Sequence, residues 1–397
     1  MRRTTTGTIA LVASLAISGA TGAVAASAAA VSSAASSQTA SATASQASAL
    51  LAAAHAQLPS DWDARRAAAV KRFGVEPSAA RQALGRAIDP TQYQCAPTKL
   101  DAYVDGILAH VDRPTLSLVI SLGGLDMPTY DTLVFGSSGD PLYALTKGSR
   151  NELTTAFRAA QKFWDTDGSD ISLMAMHGDV LRDPARMARV YHVVYGLSDA
   201  QSAQLASILA QAVASDPGLS GGDNPIFTLN AFAFSAEGDP DPLAATIPDK
   251  LVFGDGMLDA LSAIGVGDVG PRAVIGHEYG HHVQYDDHLF ASSLTGPEAT
   301  RRTELMADAF GTYFVTHKRG LALNTARVLE AEQSFYQVGD CSFTSEGHHG
   351  TPNQRLRAST WGASVAAAAQ KQGQVLPSLT LDSQFESKLA QFVAPDA

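Results

Sequence analysis

The sequence predicts an α+β fold: a small β-sheet packed on a helical region, followed by a helical C-terminal part. Three observations carry that expectation. The short runs 227–234 and 250–253 are rich in aromatic, β-branched and other apolar residues, which gives them strand character. From residue 256 onward, longer stretches repeat apolar residues at helical spacing. The two element types are thus segregated along this half of the chain rather than alternating.

The chain opens on Met1-Arg2-Arg3, then runs largely apolar from 8 to 25, with Ala23-Val24-Ala25 and Ala26-Ser27-Ala28 as A-x-A cleavage patterns. Residues 1–25 are therefore expected to be a signal peptide, which implies secretion. An uncleaved anchor is the alternative, but Ser14, Ser18, Gly19 and Thr21 dilute the apolar run. Residues 26–57 are almost wholly Ala, Ser, Thr and Gln. Such a stretch lacks the large apolar groups that offset ordering entropy, which predicts a disordered tether, although alanine-rich sequence can turn helical on contact.

Residues 58–215 read as an N-terminal α/β region without an evident role. Its 61–87 segment is a basic surface helix by composition. The runs 115–122 and 132–135 have strand character, with Gly123, Gly124, Gly136 and Gly139 as punctuation. Ser149 and Glu152 form a capping-box pattern for a helix reaching Trp164. A strand at 170–176 and helices at 186–195 and 199–215 follow. Beyond them come the strands 227–234 and 250–253, joined by an acidic, proline-containing loop. Helices are expected at 256–264, 270–288, 297–318, 325–336, 352–370 and 383–393.

Composition narrows the function. The 397 residues carry a net charge of −11, which argues against nucleic acid or an anionic membrane as partner. No segment after the signal has 18 uninterrupted apolar residues, so no stable membrane association is expected once the signal is cleaved. Cys95 and Cys341 are the two cysteines. In a secreted chain an even count points to a disulfide. Here it would close a loop of about 250 residues, worth roughly 5 kcal/mol in the chain-entropy model. Two separate buried thiols are the alternative. Oligomeric state is left open.

The densest chemistry is His277-Glu278-Tyr279-Gly280-His281, an HExxH motif. Residues four apart share a helical face, so both imidazoles can hold one zinc ion. Glu278 sits about 100° around the helix, where it reaches a water on the metal rather than the metal itself. Ala273, Val274, Ile275 and Val283 supply an apolar face, so the polar cluster is expected to be buried and in need of a partner. A catalytic zinc site takes three protein ligands and leaves one position open. Downstream, Glu304 and Asp308 share a face of the next helix, after a turn containing Gly296 and Pro297. Glu304 is the expected third ligand. Asp308 is expected to accept the free N–H of a ligating histidine. A third histidine ligand in the HExxHxxGxxH pattern is excluded, because Gln284 and Asp287 occupy the Gly and His positions.

Three segments in this order, GHEYGHHVQ (276–284), TELMADAFG (303–311) and HGTPNQR (349–355), resemble the bacterial neutral zinc metallopeptidase family and, more broadly, the gluzincins. Asn230–Phe234 is similar to the NAFA-type strand that precedes the zinc helix in several gluzincins. The resemblance covers roughly residues 220–370. It implies a zincin-like fold, with a zinc-binding helix pair beside a small mixed sheet. It also implies a zinc metallopeptidase catalytic region over 216–397 and one catalytic Zn2+ held by His277, His281 and Glu304. Glu278 takes the role of general base. His349, in the family-like HGT turn, is expected to assist as a catalytic residue, with His348, Tyr336 and Arg355 as further candidates for stabilising an oxyanion.

The expected function is therefore a secreted zinc-dependent peptidase acting on peptide or protein substrates. Two other readings stay open: a secreted zinc-binding protein without turnover, and a zinc hydrolase of a non-peptide amide. Asn230–Phe234 is a strand that an extended peptide could join, or an ordinary core strand.

Overall fold

The computed structural model of the chain describes residues 48–74, 98–336, 350–371 and 373–394. After a helical segment at 48–57, the principal helices in chain order are α1 (Trp62–Phe73), α2 (Lys99–Leu108), α3 (Arg113–Ser121), α4 (Lys147–Phe163), α5 (Pro184–Val193), α6 (Asp199–Ser215), α7 (Asp255–Ala263), α8 (Gly270–Asp286), α9 (Pro297–Thr316), α10 (Thr325–Tyr336), α11 (Pro352–Lys371) and α12 (Ser378–Glu386). Three short strands, β1 (Ser172–Met176), β2 (Ala231–Phe234) and β3 (Lys250–Gly254), form the sheet. The class is α+β, mostly helical with a small mixed sheet.

Strand order is β1-β3-β2, with β3 parallel to β1 and antiparallel to β2. β3 is central and buried along its whole length, whereas β2 alternates half-buried alanines with buried phenylalanines. Central strands need apolar groups on both faces, which is why 251–253, after Lys250, is a continuous apolar run. Successive residues of β3 point to opposite sides. Leu251 and Phe253 enter a core shared with Ile275, Tyr279, Phe310 and Tyr313 of α8 and α9. Val252 enters a second core with Phe232, Phe234, Tyr191 and Leu209. The sheet thus lies between two apolar layers, and each large side chain buried in them contributes about 1.5–3 kcal/mol.

Close helix contact sets up the region around the HExxH motif. A Cβ on Gly276 would lie 2.7 Å from Val315 Cγ1, and one on Gly311 would lie 2.7 Å from the His277 backbone nitrogen. Only glycine lets α8 and α9 approach this closely without displacing backbone. Arg272 of α8 also pairs with Glu152 of α4 at 3.0 Å.

Several sequence expectations are corrected. The 115–122 run is not a strand but most of α3, whose N-cap Asp112 accepts the Thr115 N–H at 2.9 Å and whose first turn holds Pro114. A short apolar run fits a buried helix as well as a buried strand, and the Asp-Arg-Pro start decides for helix. Likewise 132–135 lies in a π-helical turn, Asp131–Phe135. Its cause is distant. The buried Lys250 ammonium donates to the carbonyls of Thr132 (3.2 Å), Leu133 (2.6 Å) and Gly136 (2.6 Å). Burial pushes Lys250 down to about 8, which leaves it charged at neutral pH. The region 58–215 therefore contributes β1 alone to the sheet.

Ser149 does not cap α4, which begins at Lys147 behind Thr146. β2 is shorter than 227–234 because Asn224-Pro225 starts a 3-10 turn at Pro225–Phe227. The C-terminal 383–393 segment divides between α12 and a short turn at Leu389–Phe392. In the expected tether, 48–57 is helical and Ala54 is fully buried, so alanine's helix propensity is realised by packing. Cys95 and Cys341 lie outside the described residues. No helix among the described residues is long and apolar enough to cross a membrane.

The ends of the parallel strands are joined by a charged clasp. His177, just after β1, meets Asp255 Oδ2, just after β3, through Nδ1 at 2.5 Å, while its Nε2 faces the Ala144 carbonyl at 3.0 Å. The hydrogen bond to Asp255 raises the His177 pKa. The clasp therefore stabilises fully below about pH 6.5, the unfolded value, and fades as pH rises through the folded value. His177→Gln is expected to cost about 1 kcal/mol more at pH 6 than at pH 9.5 in urea unfolding. An equal cost at both pH values contradicts a charged clasp.

Candidate metal centre

α8 places His277 and His281 one turn apart, with their Nε2 atoms 3.2 Å from each other and their rings edge to face. Glu304 arrives from α9. Its carboxylate oxygens lie 3.6 Å from His277 Nε2 and 3.3 Å from His281 Nε2. The three donor atoms sit within 4.8 Å of one another, so the cluster can hold a metal ion. It is the one such group of histidine, cysteine and acidic side chains among the described residues.

The other ring nitrogens are engaged too. His277 Nδ1 meets Asp308 Oδ1 at 2.9 Å, and His281 Nδ1 meets Gln284 Oε1 at 3.1 Å. Gln284 is oriented by its own amide N–H, which donates to the Thr303 carbonyl at 2.8 Å. These acceptors hold a proton on each Nδ1, which directs the Nε2 lone pairs toward Glu304. Two lone pairs and a carboxylate converging in a buried space require a positive charge. Burial alone would lower the His277 pKa, but Asp308 and Glu304 push it up to about 10. A proton or a metal ion can meet that requirement, and the donor set fits a metal.

Behind the donors lies a second layer. Arg355 of α11 grips Asp308 with two parallel bonds, Nε to Oδ2 and Nη2 to Oδ1, both at 2.7 Å. Its Nη2 is also 3.7 Å from Glu304. Burial works to raise the Asp308 pKa, and the Arg355 and His277 charges outweigh it. Glu332 of α10 accepts the Thr312 hydroxyl at 2.5 Å, and burial pushes its carboxyl up to about 8. At neutral pH it is largely uncharged and does not compete for the cation. Glu278 is buried beside the donors. Burial raises its pKa, against the charges of His277 and His281 and the backbone of Ala233 in β2.

The structure brings together His277, Glu278, His281, Glu304 and Asp308, as the motif spacing predicts. His348 and His349 lie outside the described residues. Arg355 binds Asp308 and Glu304, so it is a positioning group here. His282 is fully buried and bonds the Lys250 carbonyl through Nε2 at 2.9 Å, which ties α8 to β3. Gln284 and Glu332 were missed. Gln284 sits three residues after His281 on the same helical face, a usable signal. Glu332 has none, because only tertiary packing brings α10 here. No protein-family model, no curated protein and no solved structure matches the chain.

Asp308→Asn removes the charge that holds the His277 proton and pairs with Arg355. It is expected to weaken metal binding about tenfold, read by competition with a chromophoric chelator, with the helix content unchanged. An unaltered affinity would show that Asp308 does not position His277.

Proposed function

We propose that this chain is a secreted zinc-dependent peptidase of zincin-like build, akin to the bacterial neutral zinc metallopeptidases. The observation that carries this reading is the buried His277–His281–Glu304 cluster with Glu278 buried next to it. Two imidazoles and one carboxylate are a donor set of catalytic zinc sites, which keep a further position open. Zinc bound there supplies Lewis acidity, which polarises a carbonyl and brings the pKa of water to about 7.

Glu278 is the chain's proton carrier in this proposal. Its carboxylate takes a proton from the attacking water and delivers it to the leaving amine. The upward shift that burial gives its pKa moves it toward the working range of such a group. Asp308 and Gln284 keep the two imidazoles in one tautomer, and Arg355 keeps Asp308 in place.

β2 supports a peptide as substrate. β3 pairs with one of its edges, and no strand pairs with the other among the described residues. The backbone of Ala233 in this strand lies beside Glu278 and works to lower its pKa. An extended peptide lying along β2 runs its backbone past Glu278. The signal-like first 25 residues support export, and the acidic net charge fits a protein substrate better than nucleic acid. A zinc-holding protein without turnover gains nothing from a carboxylate buried at this point, where it costs stability.

Glu278→Gln tests the reading. Both proteins are expected to bind one zinc ion, and turnover of an unfolded protein substrate is expected to fall about a thousandfold in the variant. Equal turnover in both would remove Glu278 from the reaction. Zinc in both with no turnover in the wild type would overturn the peptidase reading.

A further inference from the structure

Phe290 is the one aromatic residue among the exposed large apolar side chains of the described residues, at 40% exposure. A lone exposed Phe is ordinary on a protein surface. This one is distinguished by where it stands and by how firmly it is held. Its ring lies nearly parallel to the His281 imidazole, 22° apart in plane with centroids at 6.5 Å. The side chains of His281, Glu304 and His277 keep 13%, 11% and 9% of their exposure. Phe290 therefore stands at the rim of the centre, beside one of its three donors.

The pose is built by the backbone. His288 takes a left-handed conformation, φ 55°, which a non-glycine residue adopts at a cost. That turn folds the chain back at the end of α8, where the Leu289 N–H donates to the Gln284 carbonyl at 2.8 Å. The buried Arg302 then bonds the Leu289 carbonyl at 2.6 Å and is itself fixed by Glu386 at 2.6 Å. Leu289 is buried, and Phe290 stacks on Tyr285 at 4.6 Å and 25°. The turn and the arginine clamp hold the backbone on either side of His288, which fixes where the Phe290 ring stands.

We propose that Phe290, backed by Tyr285, is the apolar shelf that selects the substrate, accepting a large apolar or aromatic side chain on a residue next to the scissile bond. This rests on the reading of the centre as a peptidase. A flat, rigid aromatic face favours offset stacking with a second ring and contact with branched aliphatic groups. It offers nothing to a small side chain.

The test separates recognition from turnover. Zinc-loaded Glu278→Gln protein, with and without Phe290→Ala, is titrated with blocked glycine peptides that carry one Phe, Leu, Ala or Arg. With Phe290 present, the Phe and Leu peptides are expected to bind about tenfold more tightly than the Ala and Arg peptides. Phe290→Ala is expected to compress that preference below about threefold while zinc content is unchanged. The proposal is overturned if the preference survives Phe290→Ala, if the Arg peptide binds best, or if no peptide binds. It is also overturned if Phe290→Ala loses zinc, since the ring then merely shields His281. A wild-type protein that cleaves none of these peptides, while selection still depends on Phe290, would remove the peptidase reading and leave the shelf standing.

Discussion

Two imidazoles and a carboxylate buried within 4.8 Å of one another need a positive charge among them, and the packing of α8 on α9 leaves them no other place to go. Gly276 and Gly311 permit that packing. Once the helices are in contact, Glu304 is pressed against the face that carries His277 and His281. The surrounding groups then follow a single electrostatic logic. Arg355 balances the charge of Asp308, Asp308 orients His277, Gln284 orients His281, and burial keeps Glu332 largely neutral. Removing one member leaves a buried partner unsatisfied, which generally costs more than the pair contributes.

The N-terminal half gains a role from this arrangement. β1 flanks β3, and the second apolar core covers the face of the sheet turned away from α8 and α9. Lys250 works at both ends. Its ammonium closes the π-helical turn at Asp131–Phe135, and its carbonyl receives His282 of α8. A distant turn, the central strand and α8 are therefore joined through one residue. The edge strand β2, whose Ala233 meets Glu278, takes its position from that same central strand.

Much of this was legible in the sequence where the governing interactions are local. The four-residue spacing of His277 and His281, and of Glu304 and Asp308, is a property of helix geometry. It therefore survives any uncertainty about tertiary structure. The start of α6 is local for the same reason, since Ser198 and Gln201 form a capping box at its N-terminus. Where interactions are long-range the reading failed. The 132–135 run has strand composition, and only Lys250, far along the chain, turns its carbonyls inward. His282 looks like one more histidine on a polar helix face until β3 is known to lie beneath it. Glu332 reaches the centre by packing alone.

The most direct test is X-ray absorption at the zinc edge on the purified protein, with Glu304→Ala alongside. The account predicts one zinc ion per chain with two imidazole nitrogens and carboxylate oxygen at about 2.0–2.2 Å, the oxygen contribution falling in the variant. Absence of zinc, sulfur in the coordination sphere, or a spectrum indifferent to Glu304→Ala would contradict it.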